Sequence, residues 1–429
     1  MAGAVTAAVL VTGDEVLRGR IPDANGGHLA RDLDARGVAV RRIVVVGDGI
    51  DTLVRALREL LDESPDLVVT SGGLGPTHDD RTMEAVAAVT GRPLAVDPEA
   101  LALVRRGRMA LRGAETITDA TRARVEDKQA TLPRGAVVLP PTGTAPGCVV
   151  RHGRTLVCVL PGPPWELTRM WARACDEVDE LRSVLAGAAP GERRLLRLYA
   201  VVESEVVETL DRLDPALRDA VEAGVCARAG EIELSLRGPA DAVRRIEAGV
   251  EAVFGDRLYA RRGETALGLV EAALRARGET LAVAESCTGG LLGARITAIP
   301  GASEWFRGGV VAYDNSVKEG LLGVDPAVIA RHGAVSEECA RAMARGARAA
   351  VGADWAVAVT GIAGPGGGTP DKPVGLVHLA LAGPGGVEDA HSPRVLRGDR
   401  ERIRERAAAI AVHLLRRALD AAPAGARHA

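Results

Sequence analysis

The chain has 429 residues, with 54 Lys and Arg against 57 Asp and Glu and a formal net charge of −3. This length predicts about three domains and excludes a small disulfide-stapled module. The near-neutral charge and an aromatic content of 2% argue against direct nucleic-acid binding, which favours basic surfaces and stacking aromatic rings. No apolar run reaches the roughly 20 residues of a membrane span, so we expect a cytoplasmic protein without a membrane partner.

The N-terminal part of the chain alternates between short β-branched runs and helical patterns. The predicted strands lie at residues 5–12, 38–46, 66–70, 136–139 and 155–160. This alternation indicates a parallel sheet with helices on both faces, whose ligands bind at the carboxyl ends of the strands. We therefore predict an α/β domain over residues 1–183, which ends in a helix over residues 165–181.

A hinge rich in Gly, Ala and Pro separates this domain from the rest of the chain. The patterns after it predict a small α+β module over residues 190–260 and a second layered α/β domain over residues 264–420. The predicted fold class is therefore α/β, with two layered α/β domains joined by a small α+β module. The six cysteines form no CxxC pair, so we expect reduced buried thiols without disulfides or structural zinc.

Lysine is rare in this chain, which has only Lys128, Lys318 and Lys372 against 51 arginines. A desolvated lysine can lose its proton and act as a base, whereas arginine cannot. Each lysine is therefore a candidate for a catalytic role. The alternative is that a compositional drift from lysine to arginine left these three lysines by chance.

Ser286 lies in the run AESCTGG, where a predicted strand ends and a helix begins. Backbone N–H groups at such a turn could stabilise an oxyanion, and Thr288, Gly289 and Gly290 would lie against a bound substrate. The alternative is that Ser286 only caps the helix.

The base for such a serine is predicted in the run AYDNSVK. Tyr313 ends a predicted strand over residues 309–313, and Lys318 lies at the start of the helix that follows. The histidines of this domain offer no convincing partner, whereas a neutral lysine amine is sufficient in a serine–lysine pair. Tyr313 could orient or relay the proton. The alternatives are a solvated helix face for Lys318 and a core position for Tyr313.

Two further segments complete the predicted site. The run TGIAGPGGG, with Thr360 and Gly361, is a glycine-rich loop that could offer amides to phosphate, or else a flexible linker. Arg400, in the run GDR before the last helix, could pair with a phosphate or a carboxylate.

Two loops of the first domain also carry glycines with acidic residues. The first contains Gly13 and Asp14, and the second contains Gly72, Gly73, Gly75, Thr77, Asp79 and Asp80. Both follow predicted strands and should meet in one crevice, where the glycines could contact phosphate and the three aspartates could hold a divalent cation. The alternative is that the aspartates cap helices and the glycines form turns.

The motifs AESCTGG, AYDNSVK, HGAVSE, TGIAGPGGG, KPVG and GDR, in that order, resemble the C-terminal domain of the CinA family of nicotinamide-nucleotide amidases over about residues 265–419. The resemblance implies hydrolysis of the carboxamide of nicotinamide mononucleotide to nicotinate mononucleotide and ammonia, without a cofactor. It implies Ser286 as nucleophile, Lys318 as general base and Tyr313 as their support, with Thr360 and Arg400 in the substrate site. It also implies a homodimer.

The N-terminal part is similar to the MoaB/MogA-like domain of the same family over about residues 5–175, and Lys128 fits that pattern as a substrate-binding residue. The resemblance implies a metal-dependent ADP-ribose pyrophosphatase. Two other functions stay open, namely a non-catalytic interaction protein linked to competence or DNA damage and a molybdopterin-binding module.

Overall fold

The computed structural model describes residues 5–110, 118–188, 191–228, 230–386, 388–391 and 395–421. The chain divides into two compact units, Met1–Gly191 and Glu192–Ala429. The predicted small module therefore belongs to the same unit as the C-terminal domain. No helix in the described part of the chain is long and apolar enough to cross a membrane.

The first unit contains eight strands and eight helices within its described residues. Its strands are β1 (Thr6–Thr12), β2 (Ala39–Val46), β3 (Leu67–Ser71), β4 (Leu94–Val96), β5 (Thr131–Pro133), β6 (Val137–Leu139), β7 (Gly147–His152) and β8 (Thr155–Leu160). Its helices are α1 (Asp14–Leu17), α2 (Asn25–Ala35), α3 (Ile50–Asp62), α4 (Thr82–Thr90), α5 (Pro98–Ala110), α6 (Asp119–Gln129), α7 (Pro164–Glu177) and α8 (Asp179–Ala186).

The main sheet of the first unit has the strand order β2-β1-β3-β8-β7-β6. Alternate residues of β1 pack into two different cores, with Val9 against α2 and α7 and Leu10 against α3 and α4. Helices therefore cover both faces, as the apolar strands predict. The predicted parallel pairing is confirmed for β2, β1, β3 and β8, whereas β7, a strand that the sequence patterns did not predict, is antiparallel to both β8 and β6. Only two residues join β7 to β8, and such a short connection permits only antiparallel pairing.

The predicted helix over residues 165–181 is two helices. Val178 lies between α7 and α8 with extended backbone angles, and its side chain is buried in the core of the first unit. The helix is therefore interrupted at the residue whose side chain enters the core.

The second unit contains nine strands and nine α-helices within its described residues. Its strands are β9 (Glu192–Tyr199), β10 (Glu222–Arg228), β11 (Glu231–Gly238), β12 (Leu258–Ala260), β13 (Leu281–Glu285), β14 (Phe306–Val311), β15 (Trp355–Gly361), β16 (Val377–Ala382) and β17 (Glu388–His391). Its helices are α9 (Glu203–Asp211), α10 (Pro215–Ala220), α11 (Ala240–Phe254), α12 (Ala266–Arg277), α13 (Leu291–Thr297), α14 (Asn315–Leu322), α15 (Pro326–His332), α16 (Glu337–Val351) and α17 (Arg400–Ala421).

The second unit has two sheets. The small module forms an antiparallel sheet of order β10-β11-β9-β12. The larger sheet has the order β14-β13-β15-β16-β17, in which β14, β13 and β15 are parallel and the last two strands are antiparallel. The three parallel strands bring their carboxyl ends to one edge of the sheet. Strand β14 ends at Val311, two residues before the predicted end, so Tyr313 lies in the following loop.

A buried histidine joins the small module to the last helix. His413 of α17 is fully buried and stacks on the ring of Tyr199, with centroids 3.7 Å apart. Its Nδ1 accepts from Arg416, so Nε2 carries the ring proton and donates it to Glu231 at 2.7 Å. Burial lowers the pKa of His413, although the hydrogen bond and the charge of Glu231 oppose this shift. His413 is therefore neutral in the folded chain at neutral pH.

We predict that acidification below pH ~6.5 destabilises the second unit, because the unfolded chain then binds a proton that folded His413 does not. His413→Gln keeps a donor for Glu231 but cannot titrate, so it should flatten the pH dependence of the free energy of unfolding in this window. Calorimetric unfolding between pH 5 and 8 would measure the effect, and the exposed His152→Gln is the matched control. An unchanged pH dependence in His413→Gln would contradict the prediction.

Candidate functional site

The carboxyl ends of β13, β14 and β15 bring together three of the predicted site segments. The backbone N–H of Ser286 donates to the carbonyl oxygen of Val359 at 2.9 Å, so Ser286 lies beside Thr360. On the other side, the N–H of Ala312 donates to Glu285 at 2.7 Å, which places the loop with Tyr313 next to the same turn. The parallel pairing of these strands therefore produces the cluster.

The turn after Ser286 is organised by a residue that the sequence analysis did not identify. Glu285 is buried, and its carboxylate accepts hydrogen bonds from the N–H groups of Gly290 and Leu292, both at 3.0 Å, and of Gly293 at 2.7 Å. The expectation that amides at the start of the following helix bind an oxyanion is therefore wrong for these groups. The only advance signal was an acidic residue at the end of an otherwise apolar strand.

Two other amides of the turn stay available. Within the described chain, the N–H groups of Cys287 and Thr288 donate to no oxygen atom and face only the sulfur of Cys287, which is a weak acceptor. The N–H of Gly289 donates back to the carbonyl oxygen of Ser286 at 3.0 Å. The Thr288 hydroxyl is also buried and has no hydrogen-bond partner. Gly289 and Gly290 have φ of 59° and 92°, a region that favours glycine, so the tight turn requires them.

Lys318 is the most buried cation of this region. Its side chain is 1% exposed, and its amine donates to the carbonyl oxygens of Tyr313 at 3.1 Å and Asp314 at 3.5 Å. Burial lowers the pKa of Lys318, and weaker electrostatic interactions with Cys339, Asp314 and Cys287 oppose the shift. Removing an ammonium from water is costly, whereas solvent screens the charge of the exposed Asp314 carboxylate. The desolvation therefore decides the direction of the shift.

No hydrogen bond joins Ser286 to Lys318 in the described residues. The two groups nevertheless lie in adjacent segments. The Lys318 amine donates to the carbonyl oxygen of Tyr313, and the N–H of Ala312, the residue before Tyr313, donates to the carbonyl oxygen of the residue before Ser286. A neutral amine that donates two protons to carbonyl oxygens keeps one lone pair. That lone pair can accept the serine proton once the side chain turns, and such contacts often tighten only when substrate binds.

Cys287 follows Ser286 directly but is not suited to act as the nucleophile. Burial raises the pKa of its thiol to about 11, so the reactive thiolate is scarce at neutral pH. All six cysteines are free, and five are buried as expected, whereas Cys226 is exposed.

Tyr313 and Arg400 are linked to each other. The Tyr313 ring is 59% exposed, and its hydroxyl accepts from Arg400 at 2.9 Å. Arg400 also donates to the carbonyl oxygen of Gly364, in the glycine-rich loop, at 2.6 Å. Tyr313 therefore contacts Lys318 through its backbone carbonyl and Arg400 through its side chain.

Thr360 and Gly361 lie at the end of β15, where they fix neighbouring loops. The buried Thr360 hydroxyl donates to the carbonyl oxygen of Ala334 at 2.8 Å. Gly361 leaves no space for a side chain, since a Cβ there would lie 2.7 Å from the carbonyl oxygen of Leu376. The Lys372 amine donates to the carbonyl oxygen of Val335 at 2.8 Å, so a hydrogen bond links the runs HGAVSE and KPVG.

The first unit has its own crevice of about 510 Å³ at the carboxyl ends of its strands. The predicted residues that line it are Gly13, Gly72, Gly73, Gly75, Asp79 and Asp80. A Cβ at Gly72 would lie 2.5 Å from the carbonyl oxygen of Thr12. The two loops therefore approach each other as predicted, and glycine is required for that approach.

The three aspartates predicted as metal ligands do not converge. Asp14 does not line the crevice, and its carboxylate instead pairs with Arg18 at 2.5 Å. Asp80 accepts hydrogen bonds from the N–H and the hydroxyl of Thr77, at 2.9 and 2.5 Å. The described residues contain no group of three or more acidic, His or Cys side chains that could hold a metal ion. These residues therefore do not fit a metal centre.

Thr77 and Lys128 lie beside the crevice rather than in it. Lys128 donates to the carbonyl oxygen of Thr77 and lines a second cavity of about 430 Å³, which shares Gly73, Gly75 and Asp80 with the crevice. The predicted substrate residues of this unit are therefore divided between two adjoining cavities.

The crevice also contains four carboxylates that the sequence analysis did not select: Glu15, Asp23, Asp48 and Glu166. Asp48 accepts from the Thr12 hydroxyl at 2.7 Å and from the N–H of Asp14 at 3.0 Å. It lies two residues after the predicted strand over residues 38–46, so the rule that ligands bind at strand ends could have found it. Glu166, at the start of α7, also lines the crevice, and burial raises its pKa.

Comparison with known proteins agrees with this division. The family model "CinA C-terminal domain" matches residues 264–419, and the model "Probable molybdopterin binding domain" matches residues 8–180. The CinA-like proteins of Mycolicibacterium paratuberculosis and Mycobacterium avium are 44% and 45% identical to this chain, and each alignment covers 96% of the chain and 98% of the relative. A crystal structure of a competence/damage inducible protein from Agrobacterium tumefaciens is 40% identical over 36% of this chain and 95% of its own, with a TM-score of 0.35. The chain therefore belongs to the CinA family.

Proposed function

We propose that the second unit hydrolyses the carboxamide of nicotinamide mononucleotide, with Ser286 as nucleophile and Lys318 as general base. The observation that carries this proposal is a buried lysine amine in the segment next to a serine turn, in which two backbone N–H groups have no oxygen acceptor among the described residues. An amide hydrolase needs a neutral base, a hydroxyl nucleophile and donors for the oxyanion. The identity of the substrate comes from the family resemblance.

The reaction follows from these groups. Lys318 accepts the proton of the Ser286 hydroxyl as the serine oxygen bonds to the amide carbon. The N–H groups of Cys287 and Thr288 stabilise the oxyanion. The C–N bond then breaks as the Lys318 ammonium gives its proton to the departing amide nitrogen, which leaves as ammonia. Water attacks the acyl-enzyme carbonyl and gives a proton to Lys318, which passes it to the Ser286 oxygen as the ester bond breaks. The acid product loses its remaining proton to solvent and leaves as the carboxylate.

Arg400 and Thr360 form the substrate-binding side of the proposal. Arg400 has no carboxylate within ion-pair distance among the described residues, and its guanidinium is held by Tyr313 and Gly364. Its positive charge is therefore free to pair with the phosphate of a mononucleotide.

We predict that the purified chain releases ammonia from nicotinamide mononucleotide and that Ser286→Ala removes this activity. Lys318→Arg keeps a positive charge but cannot supply a neutral amine, so kcat should fall ~10²–10⁴-fold. A coupled ammonia assay measures both, and Ser303→Ala, at an exposed serine of the same unit, is the matched control.

Full activity in Lys318→Arg would contradict the assignment of the base. A wild-type chain that releases no ammonia would contradict the amidase and favour the non-catalytic interaction protein.

We propose a second, separate function for the first unit, which is binding of a phosphorylated nucleotide such as ADP-ribose in the crevice around Gly72. The supporting observation is a crevice of about 510 Å³ whose glycines expose backbone to a ligand. Cleavage of the diphosphate is proposed from the family resemblance alone, and no step is assigned to a metal here. A homodimer is likewise proposed from the resemblance.

We predict that wild-type protein binds ADP-ribose and that Gly72→Ala does not, because the new Cβ would strike Thr12 within the crevice. Gly91→Ala is the matched control, since Gly91 also has positive φ, at 65°, but has open space around it. Isothermal titration calorimetry measures binding, and ADP-ribose turnover with and without a divalent ion tests cleavage. Equal affinity in Gly72→Ala would contradict the proposed location.

A further inference from the structure

Two side chains to which the sequence motifs assign no role hold the turn over residues 286–290, here called the nucleophile turn. The first is Glu285, whose carboxylate binds three backbone N–H groups at the start of α13. The second is Arg404 of α17, whose Nε and Nη2 both donate to the carbonyl oxygen of Thr288, at 3.3 and 2.7 Å. The hydrogen bonds of both side chains go to backbone groups and not to the Ser286 hydroxyl, so neither side chain is placed to exchange a proton with it.

Glu285 divides the amides of the turn into two sets. Its carboxylate is buried and has no cationic partner among the described residues, so the three N–H groups and the N-terminal end of the helix compensate its charge. The amides of Gly290, Leu292 and Gly293 are consequently unavailable to a substrate. The N–H groups of Cys287 and Thr288, on the two residues after Ser286, are left as donors without an oxygen acceptor among the described residues.

Arg404 fixes the same turn from the opposite side. A carbonyl oxygen held by two donors of a planar guanidinium cannot rotate freely, so the Thr288–Gly289 peptide is fixed. The preceding peptide group, which carries the Thr288 N–H, is constrained through the shared Thr288 Cα. Arg404 also lies one helical turn after Arg400, so both arginines project from one face of α17. That face therefore contacts the nucleophile turn through Arg404 and the Tyr313 and Gly364 segments through Arg400.

We propose that Glu285 and Arg404 are positioning residues that hold the N–H groups of Cys287 and Thr288 in the geometry needed for an oxyanion. This inference rests on the proposed amidase function. Small displacements of such donors are costly, because the stabilisation depends on groups already aimed at the position of the developing charge. Loss of either side chain should therefore lower kcat and leave KM nearly unchanged.

The experiment compares Glu285→Gln, Arg404→Met and Arg404→Lys with the exposed control Arg402→Met in the full-length chain. We expect kcat for nicotinamide mononucleotide to fall at least ~10-fold in the first two variants, towards the ~10²–10³-fold loss of a deleted oxyanion donor. Arg404→Lys keeps one donor and should recover part of the rate, while Arg402→Met should match the wild type. A kcat within about threefold of wild type in both Glu285→Gln and Arg404→Met would overturn the proposal.

A second readout separates this inference from the proposed function. In a fluorophosphonate reaction the Ser286 oxygen bonds to phosphorus, fluoride leaves, Lys318 takes the serine proton, and the phosphoryl oxygen occupies the oxyanion position. If wild-type protein releases no ammonia but is labelled at Ser286, the amidase proposal fails and the labelling rate alone tests the positioning. Slower labelling in Arg404→Met than in the wild type supports the positioning role, and equal labelling rates overturn it. If Glu285→Gln does not fold, Arg404→Met and Arg404→Lys carry the test.

Discussion

The Lys318 amine is enclosed by protein without a carboxylate at ion-pair distance among the described residues, and the proposed chemistry depends on this arrangement. Its only hydrogen-bond acceptors there are two backbone carbonyl oxygens, which stabilise a neutral amine about as well as water does. An ion pair would have held the proton on the nitrogen, whereas burial favours its loss. The packing of α14 against α16 therefore contributes to the burial of the Lys318 amine, and this burial favours its neutral form.

The last helix connects the parts of the second unit. Near its start, Arg400 and Arg404 contact the loops that follow the three parallel strands. Further along, His413 and Arg416 contact the small module through Glu231 and Tyr259. One rigid element thus touches both the candidate site and the module, which explains why the small module and the C-terminal domain form one compact unit rather than two.

Much of this arrangement follows from sequence patterns, and the rest depends on tertiary contacts. The strands that precede Ser286 and Thr360 are continuous apolar runs, so their positions and the layered α/β class could be predicted. The antiparallel strands could not, because an apolar run alone does not give the direction of its neighbour. The role of Glu285 was missed because its three partners are backbone groups, which leave no signal in side-chain identity. The prediction of Asp14 as a metal ligand was not met, because Arg18, four residues later, pairs with the same carboxylate.

The protonation state of Lys318 is the most direct test of the account. Only three lysines are present, so the ε-carbon NMR signals of lysine-labelled protein can be resolved and that of Lys318 assigned by its loss in Lys318→Arg. The account predicts that this signal titrates well below the ordinary lysine pKa of about 10.4. A Lys318 signal that titrates at or above that value would show a charged ammonium at neutral pH and would contradict the central claim.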